Sequence, residues 1–239
     1  MLNRTVARLT ARGLLGGRRM LLLLALSLLL PALATMLRLA LGVDHEVTAS
    51  LLGVVALGTM VPLLCLIVGT GAIGPEIDDG SVVYLLSKPV PRAEIVRSKL
   101  VVAVVCAVAF GAVPTLVAGL IMSETGSGIA VAFGVAALVA STAYCAIFML
   151  LAVVSRHAVV IGLVYALLWE SLVGSFVPGA RALSVQQWAL TVAETIADDG
   201  VIIADVALPT AVVLLAVVSA AATWYAGQRL RVLALTGEA

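Results

Sequence analysis

The stretch MLLLLALSLLLPALATMLRLALG at residues 20–42 decides the fold class of this chain. It contains one charged side chain, Arg38. A helix needs about 20 predominantly apolar residues to cross the roughly 30 Å hydrocarbon core of a bilayer. The stretch therefore predicts a membrane-spanning helix, and the rest of the chain repeats the same pattern.

Five further apolar runs follow the first and are separated by short polar segments. They cover residues 50–73, 99–122, 129–154, 158–177 and 205–227. Of the 239 residues, 63% are hydrophobic and 11% are charged, and the mean hydropathy is +1.21. A soluble domain carries about 25% charged residues. We predict an all-α polytopic membrane protein with six transmembrane helices in a single domain, residues 1–239.

The basic residues lie in alternate connections between the runs. Twelve of the 14 Lys and Arg residues lie before the first run, between the second and third, between the fourth and fifth, or after the sixth. The positive-inside rule makes that side cytoplasmic and requires an even number of spans. We expect a cytoplasmic (inner) membrane protein with both termini inside, a basic cytoplasmic segment at 1–19, a cytoplasmic segment at 75–98 and an extracytoplasmic loop at 178–204.

A cleaved signal peptide is the competing interpretation of the N-terminus. A basic segment precedes the Leu-rich run, and Ala32-Leu33-Ala34 resembles a cleavage site. However, the apolar run continues to Leu41, and its removal would leave five spans that break the charge pattern. The spanning interpretation is therefore favoured.

The cytoplasmic connection between the second and third runs reads GPEIDDGSVVYLLSKPVPRAEIVRSK at residues 74–99. Pro75 suits the first position of a helix, and acidic residues suit its first turn because of the helix dipole. Pro89 and Pro91 would end such a helix. The pattern predicts a short interfacial helix to about Ser87, which composition alone cannot distinguish from an ordinary amphipathic connector.

The motif within this segment resembles the loop between the second and third helices of ABC-2 type transporter permeases. It is carried by Glu76, Gly80-Ser81, Leu85, Ser87-Lys88-Pro89, Arg92, Glu94 and Lys99. It is most similar to the branch that includes the membrane subunit of the nitrous oxide reductase maturation transporter. Pro91 departs from the pattern, because a Ser before the Arg is common there.

The resemblance implies a function for the segment. In that family the loop is a coupling helix that docks on a separate ATP-binding subunit and transmits its closure to the membrane helices. The residues that the resemblance assigns to this contact are Glu76, Asp78, Asp79, Gly80, Lys88, Arg92 and Glu94. It also implies two ATP-binding subunits per complex, a second permease subunit that is identical or homologous, and ATP with Mg on the partner chains.

Several strings that suggest chemistry have a structural explanation. Residues 69–74 match GxGxxG, but they end an apolar run instead of following a strand, so close helix packing is favoured over nucleotide binding. No GxxxxGK[ST] phosphate loop occurs in the sequence, so ATP hydrolysis by this chain is not expected. Cys65, Cys106 and Cys145 lie inside apolar runs without metal-ligand spacing and are expected to be packing residues.

Glu170 is the acidic residue that lies deep within a predicted span. Ionisable groups there are costly, so it is a candidate for the translocation path. Two structural alternatives are a pair with Arg38, which also lies in the outer half of the bilayer, and a protonated Glu170 hydrogen-bonded to a neighbouring helix. The sequence leaves all three open.

The extracytoplasmic loop contains Val185, Trp188, Val192 and Ile196 at helical spacing. This stripe predicts a short outer helix. It would either cap an exit, as the resemblance implies, or rest on the outer leaflet.

Taken together, these patterns favour the permease subunit of an ABC-2 exporter that has no catalytic, cofactor or metal site of its own. A secondary transporter or channel would ordinarily show more polar residues within its spans. An intramembrane enzyme lacks candidate catalytic residues, since the two histidines, His45 and His157, lie on opposite sides of the membrane. A membrane scaffold for assembly of another complex stays open, and nothing favours nucleic acid as a partner.

Overall fold

The computed structural model describes residues 4–79, 92–123, 128–173, 183–197, 200 and 202–236. Helices and turns account for these residues, and no strand occurs among them. The α-helices are α1 (Arg4–Leu14), α2 (Arg18–Leu41), α3 (His45–Ser50), α4 (Val61–Gly71), α5 (Gly74–Asp78), α6 (Arg92–Ala107), α7 (Val113–Met122), α8 (Ile129–Val154), α9 (Ala158–Val164), α10 (Val185–Ile196) and α11 (Leu208–Thr236). Three π-helical segments continue these rods: π1 (Leu51–Met60), π2 (Val108–Ala112) and π3 (Tyr165–Val173).

Five helical rods in the described residues are long and apolar enough to cross a membrane. They are Arg18–Leu41, His45–Ile77, Glu94–Met122, Ile129–Val154 and Leu208–Leu230. The predicted span at 158–177 corresponds to a shorter apolar helix, Ala158–Glu170, and residues 174–177 lie outside the described residues. The all-helical membrane fold is confirmed, whereas the count of six spans stays a prediction.

Prolines explain the positions of the first two π-helical segments. Pro62 and Pro114 stand near the start of α4 and α7, directly after π1 and π2. Proline has no N–H to donate to the carbonyl four residues back, and its ring crowds that carbonyl. The residue before each proline donates five residues back instead, Val61 to Ala56 and Val113 to Val108. The wider turn is therefore a local solution to an internal proline.

Helix α8 is the centre of the bundle. In its most apolar stretch 61% of the residues are buried. The rod His45–Ile77 is similarly buried, at 67%, whereas Arg18–Leu41 and Leu208–Leu230 have 22% and 17%. The packing partners of α8 include α4, α7, α10 and α11. A Cβ on Gly69 would lie 3.0 Å from the Cβ of Phe148, so the glycine permits close approach of α4 to α8, as predicted. The three cysteines are free and buried, which agrees with a packing role.

The outer helix α10 forms where the sequence predicts it, but its buried face is rotated. Val185 and Trp188 are buried as expected, while Ile196 is 39% exposed. Ala189 and Ala193 complete the buried face, which packs on α8. This face lies against protein, so α10 is part of the bundle and not a helix that only rests on a leaflet.

Candidate functional site

One end of the bundle, called the inner end here after the topology that the charge distribution predicts, contains a clamp centred on Lys99. Lys99 lies on α6 and its side chain is fully buried. Its Nζ donates to the Ala72 carbonyl at 2.7 Å and lies 2.7 Å from Oε1 of Glu76. A buried ammonium is stable only when its donors are satisfied. The clamp thereby joins α6 to the turn between α4 and α5.

Local sequence explains how the clamp is assembled. Helix α4 ends at Gly71, and α5 begins after Ile73 with Pro75 in its first turn. Ile73 is buried and belongs to a small apolar cluster that also contains Val96 of α6. This packing fixes the turn, so the Ala72 carbonyl and the Glu76 carboxylate face the same ammonium. The start of the predicted coupling segment is thus attached rigidly to the next membrane helix.

The residues predicted to contact an ATP-binding subunit are placed as follows. Glu76 is turned towards Lys99, with a third of its side chain exposed. Asp79 is exposed at the end of α5, and Glu94 is half-buried in the first turn of α6. Asp78 and Arg92 have helical backbones, and Gly80 and Lys88 lie outside the described residues. The predicted helix to Ser87 is described only as far as Asp79.

Glu170 belongs to a second polar cluster at the opposite end of the bundle. Its side chain is 2% exposed and lies on π3. The carboxylate accepts hydrogen bonds from the Tyr165 hydroxyl at 3.0 Å and from the Ser184 hydroxyl. It also accepts from the backbone N–H groups of Val185 and Gln186, both at 3.3 Å. A carboxylate at a helix N-terminus satisfies free N–H groups and complements the helix dipole.

Helix α10 is also attached to two other elements. The Gln186 side-chain amide donates to the Gly53 carbonyl of π1 at 2.8 Å. The Thr191 hydroxyl donates to the Val206 carbonyl, before α11, at 3.2 Å. Together with Glu170, these bonds hold the outer helix to three membrane segments.

Arg38 and Glu170 are held by different partners, so the structure does not bring this candidate pair together. The Arg38 guanidinium donates to the Ile121 carbonyl in the last turn of α7. The neighbouring Met122 carbonyl accepts from the Thr48 hydroxyl at 3.3 Å. Arg38 therefore supplies a donor to a helix C-terminus, where free carbonyls and the dipole favour a cation. For Glu170, the arrangement seen is a hydrogen-bonded attachment to a neighbouring helix.

Two features of these clusters were missed in the sequence. Lys99 was noted as the end of a motif and as a basic residue before the third run, where a lysine ordinarily extends to the membrane surface, so the sequence carried no signal of its burial. Ser184 was not singled out, although Ser184 and Gln187 have capping-box spacing and the Ser184 side chain accepts from the Gln187 N–H. The contact between Ser184 and Glu170 had no local signal.

Long apolar helices, a clamp at one end and an attached short helix at the other define a multi-pass helical membrane protein. The chain belongs to the ABC-2 family of transporter proteins, whose sequence profile, described as "ABC-2 family transporter protein", matches residues 17–226. The match confirms the resemblance at the level of the family. Its members are membrane components whose partners are, in general, ATP-binding subunits. No curated protein matches the chain.

Proposed function

We propose that this chain is the membrane-spanning permease subunit of an ABC-2 exporter. It moves its substrate outward across the cytoplasmic membrane with ATP hydrolysed on two separate ATP-binding subunits. A second permease subunit, identical or homologous, completes the pathway. ATP and Mg are held by the partner chains, and this chain carries neither.

The Lys99 clamp is the observation that carries the proposal beyond the family assignment. A push on the cytoplasmic segment moves the membrane helices only if the segment is joined to them rigidly. Lys99 joins the start of that segment to α6 through two polar contacts in a buried site. A rigid attachment of this kind transmits a rigid-body displacement that a loose connection would absorb.

Six spans with both termini cytoplasmic complete the proposal. The charge distribution supports this topology, because 12 of the 14 basic residues follow the positive-inside rule. Single cysteines test this topology. They replace Asp79 or Glu194, which are both exposed, in a background where the native cysteines are replaced by Ala. A membrane-impermeant maleimide should label Glu194→Cys in intact cells and Asp79→Cys only after permeabilisation. Labelling of both residues from one side would contradict the even number of spans.

Co-purification with the ATP-binding subunit encoded in a neighbouring reading frame tests the coupling function. Lys88→Ala and Arg92→Ala should each weaken binding and ATPase stimulation by up to about fivefold, as expected for the loss of one charge pair with the partner subunit. Gly80→Val should reduce both by obstructing the docking surface. Arg229→Ala is the matched control, since Arg229 is an exposed cytoplasmic-side cation outside the segment. Unchanged binding and stimulation in all three test variants would refute the coupling proposal.

We assign the chain, within the family, to the branch that resembles the membrane subunit of the nitrous oxide reductase maturation transporter. The support is the motif between Glu76 and Lys99, most of which lies outside the described residues. The test is complementation of a strain that lacks that membrane subunit. Restored maturation would support the assignment to this branch. If the chain is expressed and inserted but does not restore maturation, the assignment to the branch is refuted, while membership of the family is unaffected.

A further inference from the structure

A cavity of about 380 Å³ opens at the inner end of the bundle, beside the Lys99 clamp but without Lys99 or Glu76 in its lining. It lies between the start of α2, the end of α4 and the turn that joins α8 to α9. Its volume is within the roughly 300–1,000 Å³ range of small-molecule sites. The three sides come from parts of the chain distant in sequence, so the fold creates the cavity.

The mouth of the cavity is basic. Arg19, Arg156 and His157 line it, and none of the described residues in its lining is acidic. Arg19 is half-buried and its Nη1 donates to the Gly71 carbonyl at 3.4 Å, which occupies one of its five N–H donors. Arg156 and His157 are exposed at the turn before α9. The mouth, as this basic part of the lining is called here, therefore contains two guanidinium groups.

The rest of the lining, which forms the walls, is largely apolar. Leu22 lies one turn into α2 from Arg19, Ile67 lies one turn before Gly71, and Val160 lies one turn beyond Arg156. Leu22 and Val160 are 58% and 62% exposed, so these walls continue onto the outer surface of the bundle. A small anion in water would need the basic mouth alone. A lipid needs both parts, with its phosphate at the mouth and its acyl chain along the wall.

We propose that this cavity binds an anionic phospholipid of the inner leaflet, with the phosphate between Arg19 and Arg156. Basic pockets between membrane helices on the cytoplasmic side have the chemistry that recognises such headgroups. Gly74 and Pro75, the first residues of α5, also line the cavity. The bound headgroup thus touches the start of the segment that the Lys99 clamp holds. This site rests on the proposed topology, which makes this end cytoplasmic, but not on the permease function.

Lipid binding to the purified full-length chain tests the proposal by native mass spectrometry. Phosphatidylglycerol is compared with phosphatidylcholine of the same acyl chains, and glycerol phosphate is added as a competitor. Phosphatidylglycerol should bind preferentially. Removal of one charge should weaken its binding about fivefold, and Arg19→Gln with Arg156→Gln should weaken it about 25-fold. Arg12→Gln, an exposed arginine of α1 outside the cavity lining, should bind as the wild type does.

The single variant Arg156→Gln guards against a folding artefact, because Arg156 is exposed in a turn. Its affinity for phosphatidylglycerol should fall about fivefold while its stability is unchanged. Equal binding of the two lipids, or wild-type binding by the double variant, would overturn the proposal. Complete displacement of the lipid by an equal concentration of glycerol phosphate would assign the site to a free anion instead. Loss of lipid binding on self-association of the chain would assign this face to a second copy.

Discussion

Replacement of Lys99 by Met is the sharpest perturbation of the inner clamp. Met keeps an unbranched apolar chain of similar length, but it removes the ammonium that contacts the Ala72 carbonyl and Glu76, both at 2.7 Å. A hydrogen bond that involves a charged group is worth about 1.5–3 kcal/mol. The substitution also relieves the cost of burying an ammonium, which offsets part of this loss.

The carboxylate of Glu76, the partner of Lys99, further reduces the loss of stability expected from Lys99→Met. The Glu76 side chain is 34% exposed but its Oε2 is buried, so water can solvate the carboxylate only in part once the lysine is gone. We therefore expect Lys99→Met to lower the free energy of unfolding by about 2 kcal/mol, below the roughly 3–5 kcal/mol of a fully buried broken pair. For a chain of this size that corresponds to a decrease in Tm of about 4–8 °C.

Thermal unfolding in detergent, followed by size-exclusion chromatography, measures this decrease. Arg97→Met is the matched control, because Arg97 is an exposed cation on the same helix and should change the Tm by about 1–2 °C at most. A double-mutant cycle with Glu76→Gln isolates the pair and should give a coupling energy of about 1 kcal/mol or more. A Tm for Lys99→Met equal to that of the control, or additive effects in the cycle, would refute the clamp.

Two further substitutions test the outer cluster and the helix packing. Glu170→Ala removes the acceptor shared by the Ser184 hydroxyl and two N–H groups of α10. The amides of residues 185–187 should therefore exchange hydrogen at least about tenfold faster. Glu194→Ala, at an exposed position on the same helix, is the control and should not change this exchange. Protection equal to wild type would show that α10 is held by other contacts. Gly69→Ala places a Cβ 3.0 Å from Phe148 and should lower the free energy of unfolding, measured by thermal unfolding, by about 1–3 kcal/mol. Gly74 has open space around it, so Gly74→Ala should leave that free energy unchanged. Equal Tm values for these two variants would contradict close packing at Gly69.

Hydrophobic run length predicts most of this fold, because crossing a bilayer and filling a helical bundle impose the same requirement on sequence. The run at 129–154 coincides with α8 to the residue. The run at 99–122 begins seven residues after the helix starts at Arg92, since α6 continues beyond the membrane and hydropathy does not register that extension. The run at 158–177 is described only as far as Val173, and it is helical over that range.

Side-chain pairing was less predictable than helix position. The pairing of Glu170 with Arg38 was considered because both lie in the outer half of the membrane. Depth, however, does not fix rotation about the helix axis, and rotation directs Arg38 to α7 and Glu170 to α10. Similarly, the motif at Glu76 indicated a family but could not show that Glu76 faces Lys99. These contacts depend on how separate helices dock.

The two clusters and the π-helical segments suggest how a displacement would pass through the bundle. At the inner end, Lys99 makes α6 and the α4–α5 turn move together. Farther along the same two rods, π1 and π2 lie directly before Pro62 and Pro114, where hydrogen bonding is already adapted to a missing donor. Such segments deform more readily than regular α-helix. Gln186 of α10 is bonded to π1, so bending there would act on the outer helix as well. If the cytoplasmic segment is the coupling segment that we propose, π1 and π2 are the hinges about which the clamped inner parts of these rods tilt as rigid bodies. The Gln186 bond to π1 would then make α10 follow that tilt.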